Sequence, residues 1–147
     1  MTDLWFRVAL GWHSQPADGE GVCIIGTKRF GYSGPAETDE PGQGVNPETL
    51  LLSAVGACYS ITLSRILKNA GLPFSRIQVT AEGSVSGFPR ETRFTTISVH
   101  PEIREADGSR AEEYAQAAQC ARERSVIGGV VRDSLDYRVG EVRLSGP

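Results

Sequence analysis

Histidine is scarce in this 147-residue chain, and its cysteines follow no metal or redox motif. The two histidines, His13 and His100, stand at no metal-ligand spacing from each other or from a cysteine, so a structural zinc site is not expected. The three cysteines, Cys23, Cys58 and Cys120, include no CxxC pair and cannot all be bridged within one chain. A Ser-His-Asp set, a P-loop, a dinucleotide fingerprint and an HExxH are also missing. There is no excess of basic charge: Lys and Arg number 15 against 18 Asp and Glu, a net charge of -3, with the two signs interleaved. That balance gives no electrostatic case for nucleic acid or for an anionic membrane. The opening MTDLWFRVALGWHSQ lacks a charged leader followed by an apolar run, so no signal peptide is expected. No window approaches ~20 uninterrupted apolar residues, and the most apolar stretch carries Arg65 and Lys68. A cytoplasmic protein without a membrane partner is the expectation.

What is present reads as one domain over residues 1–147, long enough for a core without disulfide staples. LWFRVALGW (Leu4–Trp12) alternates as a strand, SQPADGEG is a turn, and VCIIG is a short buried strand. FGYSGPAETDEPGQG opens as a strand and becomes a long acidic, Gly/Pro-rich loop that could line a site. Asn46 then has the character of a helix N-cap, with Pro47 at the first helical position and Glu48 in the first turn. The helix should run to about Ala70 and stop at Gly71. Leu50, Leu51, Leu52, Val55, Ile61, Leu63, Ile66 and Leu67 make it apolar nearly all round, which predicts a central, buried helix. RIQVTAEGSV and RFTTISVHPEI, joined by SGFPRET, predict a hairpin. DGSRAEEYAQAAQCARERS predicts a second helix opened by a capping box of Ser109 and Glu112. VIGGVVRDS fits a short third helix or a bend, and LDYRVGEVRL alternates as a closing strand. The order is that of an α+β domain around a long helix.

Cys23, in an apolar strand, reads as plain packing. Cys58 sits in mid-helix, where no helix dipole lowers its pKa and apolar burial raises it, so it is inert unless a cation reaches it. Cys120, in QCARERS, has Arg122 and Arg124 close by and is either reactive or a small residue on the inner face of its helix.

NPETLLLSAVGACYSITLSRILKNAG resembles the central helix of the OsmC/Ohr family of peroxidases: Asn-Pro-Glu, a small-and-apolar run, then Ala-Cys at fixed spacing. The likeness extends to the Gly-rich loop before Asn46, the following strand pair, a second cysteine on a later helix and the LDYRV strand. It implies an α+β, intertwined homodimer whose long central helices pack against curved antiparallel sheets. By the same resemblance Cys58 matches the peroxidatic cysteine, Cys120 the resolving one, and Glu48 the glutamate that orients an active-site arginine. Ten residues of straight helix separate Glu48 from Cys58 by about 15 Å, so the glutamate must act at a distance or through a partner subunit. The chain departs from the pattern twice. It has no clean match for the arginine, Arg29 beside Lys28 being the nearest candidate, and CARERS stands where Cys-Pro-x-Ser is usual.

The resemblance therefore implies a thiol peroxidase. A cation, provisionally Arg29 held by Glu48, supports the Cys58 thiolate, an organic hydroperoxide oxidises it, and Cys120 closes a disulfide. No metal, flavin or haem is called for, and the implied reductant is an external dithiol of lipoyl type on a partner enzyme. A non-catalytic dimer binding an apolar ligand, or a redox-regulated scaffold, are the competing readings.

Overall fold

The computed structural model describes residues 2–14, 20–34, 45–87 and 90–147. Most of the SQPADGEG turn, the body of the long acidic loop and the tip of the SGFPRET turn lie outside the described residues. By internal packing the chain divides into two compact units, Met1–Leu51 and Leu52–Pro147.

In the first unit, strands β1 (Ala9–His13), β2 (Glu20–Ile25) and β3 (Lys28–Tyr32) form an antiparallel sheet in that order. The strand expected from Leu4 begins only at Ala9. Leu4, Trp5 and Phe6 have no sheet partner and are strongly exposed, because alternation alone does not supply a neighbouring strand to pair with. Gly21 of β2 stands between Trp12 and Tyr32 in the register. A Cβ there would lie 2.1 Å from the Tyr32 ring, so glycine lets the two aromatics, 5.9 Å apart, close over the middle strand. Cys23 is buried in this sheet, in keeping with its packing role.

Helix α1 (Pro47–Asn69) starts and stops where its punctuation says it should. Asn46 Oδ1 accepts from Thr49 N–H at 2.8 Å and Thr49 Oγ1 accepts from Asn46 N–H at 3.0 Å, a reciprocal cap. At the other end Leu72 N–H bonds Leu67 O and Gly71 N–H bonds Lys68 O, with Gly71 at φ 65°. That is a Schellman stop, which a residue with a Cβ would strain. By length and composition α1 is apolar enough to cross a bilayer, although Arg65 and Lys68 interrupt its apolar run. Within the single chain only one ridge of it, Val55, Tyr59, Leu63 and Leu67, spaced by four, is fully enclosed. Leu50, Leu51, Leu52 and Ile66 are half-buried and Ile61 is exposed, so the helix is less buried than its all-round apolarity predicts.

In the second unit α1 packs on β4 (Arg76–Ser86), with Gly56 seated against Ala81 and Val79. β4 pairs antiparallel with β5 (Arg93–Arg104) as the expected hairpin. The inward residues of β5, Ile97, Val99 and Ile103, are fully buried. Helices α2 (Ala111–Arg124) and α3 (Val126–Arg132) follow, so the ambiguous VIGGVVR segment is a helix. The chain closes with β6 (Asp136–Val139) and β7 (Arg143–Leu144), both parallel to β5. The sheet is therefore mixed rather than antiparallel. The α2–α3 crossover returns the chain in the same direction, which a hairpin cannot do.

The expected Ser109–Glu112 capping box does not form. Asp107 instead takes Ser109 N–H at 3.1 Å and the Ser109 hydroxyl at 2.6 Å, closing a 3-10 turn over Gly108–Arg110 ahead of α2. An ionised carboxylate is the stronger acceptor and wins the serine. Arg110 then occupies the N-cap of α2, pairs with Glu113 and donates to Gly71 O at 3.1 Å.

Candidate functional site

Cys58 is half-buried near the middle of α1, and its sulfur meets the junction between α2 and α3. Ser125 is the N-cap of α3: its Oγ accepts from Gly128 N–H at 3.3 Å, and the residue is only 2% exposed. An accepting hydroxyl keeps its proton for another partner, and here that partner is the Cys58 sulfur. The backbone N–H groups of Val126 and Ile127, unused within the short helix, point at the same atom.

Burial is the largest single influence on the Cys58 thiol and pushes its pKa up. Hydrogen bonds from Ile127 N–H, the Ser125 hydroxyl and Val126 N–H together outweigh it, and the thiol is held below its ordinary value. Thr62 stands close enough to help, but its single hydroxyl proton is already committed to Cys58 O at 2.9 Å. Its contribution to the sulfur is therefore discounted. Among the described residues no cation is one of the groups acting on the sulfur. The donors to the sulfur come instead from the first turn of a different helix.

Tyr137 of β6 forms the wall behind this junction. It is 1% exposed, its ring lies against Gly128, and its hydroxyl has no hydrogen-bond partner. Desolvation pushes its pKa up to about 12, with Cys58 adding to the rise and Arg122 opposing it. The hydroxyl therefore stays protonated at neutral pH. Arg122 stacks on the ring with Cζ 5.4 Å from its centroid and donates from Nε to Tyr137 O at 2.5 Å. Tyr59, next to Cys58 in sequence, donates to Ala118 O at 3.0 Å and ties α1 to α2.

Cys120, in the same unit as this cluster, is not among the groups acting on the sulfur. Cys120 is half-exposed and lines an open depression with Glu112, Ala115, Gln116, Gln119 and Glu123, all from α2. The buried stripe of that helix is Tyr114, Ala117, Ala118 and Ala121, so Cys120 does not belong to the inner face. Glu48 lies in the first turn of α1, where its Oε2 is buried without a hydrogen-bond partner. Arg29, on β3 opposite Ile24, is exposed, and among the described residues neither it nor Glu48 makes an ion pair. No group of three or more His, Cys, Asp or Glu side chains is placed to hold a metal among the described residues. Ser125 is the serine of CARERS, displaced from its usual place in Cys-Pro-x-Ser, and its role as donor to Cys58 is not legible from that motif. A serine directly before an apolar helical run was the available signal.

Compared with protein families, residues 40–139 match the family described as OsmC-like protein. The chain belongs to the OsmC-like family. Among this OsmC-like protein's relatives, an uncharacterized protein YmaD of Bacillus subtilis is 35% identical over 86 residues, which span 58% of this chain and 57% of that relative. Peroxiredoxin OsmC of Escherichia coli is 25% identical over 135 residues, 87% of this chain and 92% of the relative. An OsmC like protein from Mycoplasma pneumoniae superposes with a TM-score of 0.79 at 18% identity, covering 98% of this chain and 99% of the other. The organic hydroperoxide resistance protein OhrB of Bacillus subtilis does so with a TM-score of 0.67 at 18% identity, covering 94% and 98%. The OsmC-like α+β fold follows from these likenesses, and the family supports a peroxiredoxin-like role.

Proposed function

We propose that this OsmC-like protein is a thiol-dependent peroxidase that reduces organic hydroperoxides at Cys58. The observation that carries the reading is a sulfur in the family's cysteine position whose hydrogen bonds overcome its burial and favour the thiolate. The thiolate attacks the hydroxyl oxygen of the peroxide, the O–O bond breaks, and the sulfur leaves as a sulfenic acid. The departing alkoxide takes up a proton and leaves as the alcohol, so the thiol and the hydroperoxide together yield sulfenic acid and alcohol.

The orphaned Oε2 of Glu48 supports its role as the holder of a cation, since a buried carboxylate oxygen without a donor is costly. Arg29 is the candidate the sequence offers for that cation. The exposed Leu4, Trp5, Phe6 and Ile61 support the homodimer, because a second copy would cover apolar surface that this chain leaves bare. A dithiol such as a lipoyl group remains the proposed reductant, in a cytoplasmic setting, with no metal or organic cofactor. The placement of Cys120 on the outer side of α2 gives no support to the Cys58–Cys120 disulfide that the resemblance implies.

The test is consumption of tert-butyl hydroperoxide by purified protein with dithiothreitol. Cys58→Ser should abolish it, and undiminished consumption by that variant sinks the assignment.

A further inference from the structure

We infer that Cys58 works as a one-cysteine centre whose sulfenic acid is resolved by a thiol from outside the chain, because the fold sets Ser125 beside the sulfur and turns Cys120 away. This rests on the peroxidase reading above and names its missing half, the class of co-substrate that returns the electrons.

Ser125 fills the place a resolving thiol would need. It is enclosed, held by its bond to Gly128 N–H, and in hydrogen-bonding reach of the sulfur. A hydroxyl there can orient a sulfenic acid but cannot close a disulfide with it. Cys120 stands five residues earlier, about 140° round the helix from Ser125, off the buried stripe of Tyr114, Ala117, Ala118 and Ala121.

The end of α2 is also anchored against the movement that would bring Cys120 round. Tyr59 binds Ala118 O, Ser125 N–H binds Ala121 O at 3.0 Å, and Arg122 is held on Tyr137 by both its stack and its Nε bond. Bringing Cys120 to the sulfur would break the last turn of the helix. Cys23 is enclosed in the N-terminal sheet, and all three thiols are free.

The cycle then closes with two external thiol groups. The first attacks the sulfenic sulfur, forming a mixed disulfide with Cys58 and expelling water. A second thiol, on another molecule or on the other arm of a dithiol, attacks the external sulfur of that disulfide. The bond to Cys58 breaks, the reductant departs as its own disulfide, and Cys58 leaves as the thiolate. The donors from Ser125, Val126 and Ile127 serve this step too, since a stabilised thiolate is the better leaving group.

The experiment oxidises the full chain with one equivalent of tert-butyl hydroperoxide without reductant, traps with dimedone and maps the peptides by mass spectrometry. The expected product is a dimedone adduct on Cys58. Adding 2-mercaptoethanol instead of dimedone should give a mixed disulfide at Cys58, and Cys120→Ser should turn over with dithiothreitol as fast as wild type. Ser125→Cys should switch the oxidised product to an intramolecular disulfide with Cys58. A Cys58–Cys120 cross-linked peptide as the main product, or a loss of about tenfold or more in Cys120→Ser turnover, overturns the inference alone. An unmodified Cys58 overturns the peroxidase reading and this inference with it.

Discussion

The ring of Tyr137 occupies the space that a side chain at Gly128 would need: a Cβ built there would lie 2.9 Å from Tyr137 Cε1 and 3.3 Å from Ser125 Oγ. Tyr137 is enclosed and cannot swing aside, so the glycine is a packing requirement at the back of the Cys58 site. Helix propensity and packing therefore make opposite forecasts for this position. Propensity says Gly128→Ala should gain about 1 kcal/mol. Overpacking should cost about 1–3 kcal/mol, and with an unyielding neighbour it should win. A lower urea midpoint for Gly128→Ala is the expected result. Gly129→Ala is the internal control, because its nearest neighbour is the flexible end of Arg132 at 3.7 Å. That substitution should leave stability unchanged or raise it slightly.

Removing the Ser125 hydroxyl has two separable consequences. Ser125→Ala takes a donor from the Cys58 sulfur, so the thiol pKa should rise and the rate–pH profile for peroxide should move to higher pH. It also removes the α3 N-cap, which should cost about 1 kcal/mol of stability. Titration of Cys58 with a thiol-reactive probe checks the first effect and urea unfolding the second. A profile that does not move would show that the backbone donors alone set the thiol. A wild-type Cys58 pKa at or above that of a free thiol, ~8.5, would favour the binding-module reading instead.

Stability should pass through a window at alkaline pH. Cys58 is lowered from 9.0 on folding, so its contribution is complete above 9.0 and is lost as pH falls through the lower folded value. Tyr137 is raised from 10.0 to about 12, so its contribution is complete below 10.0 and is lost as pH rises towards 12. Tyr59 is shifted in the same direction as Tyr137, chiefly by burial. Urea midpoints measured across this range should show Cys58→Ser lacking the lower slope while keeping the upper decline.

Leu63 and Ile61 separate the core of α1 from its open side. Leu63 is fully buried, and Leu63→Ala should cost about 2–5 kcal/mol at any protein concentration. Ile61 is 53% exposed in the single chain, so Ile61→Asp should hardly change the intrinsic stability of a monomer. If a second copy covers that side, the same substitution should shift sedimentation from dimer to monomer. Identical sedimentation of a monomeric wild type and the variant would count against the homodimer.

The sequence by itself determined what local chemistry can determine. Asn46, Pro47 and Gly71 bounded α1, alternation and turn residues gave the β4–β5 hairpin, and the Asn-Pro-Glu to Ala-Cys spacing carried the family resemblance. These signals act over a few residues, through caps, side-chain period and φ preference, and they survive without knowledge of the rest of the chain. Three features needed the tertiary structure. The parallel return of β6 and β7 depends on where two short helices deliver the chain. The outward phase of Cys120 depends on which face of α2 the core claims, since a shift of one or two helical positions exchanges inside for outside. The meeting of Cys58 with Ser125 joins residues far apart in sequence through the packing of α1 beneath the α2–α3 junction. Sequence placed a thiol in an apolar helix, where burial raises its pKa. Tertiary structure brings hydrogen-bond donors to that sulfur from another element altogether, and these lower it.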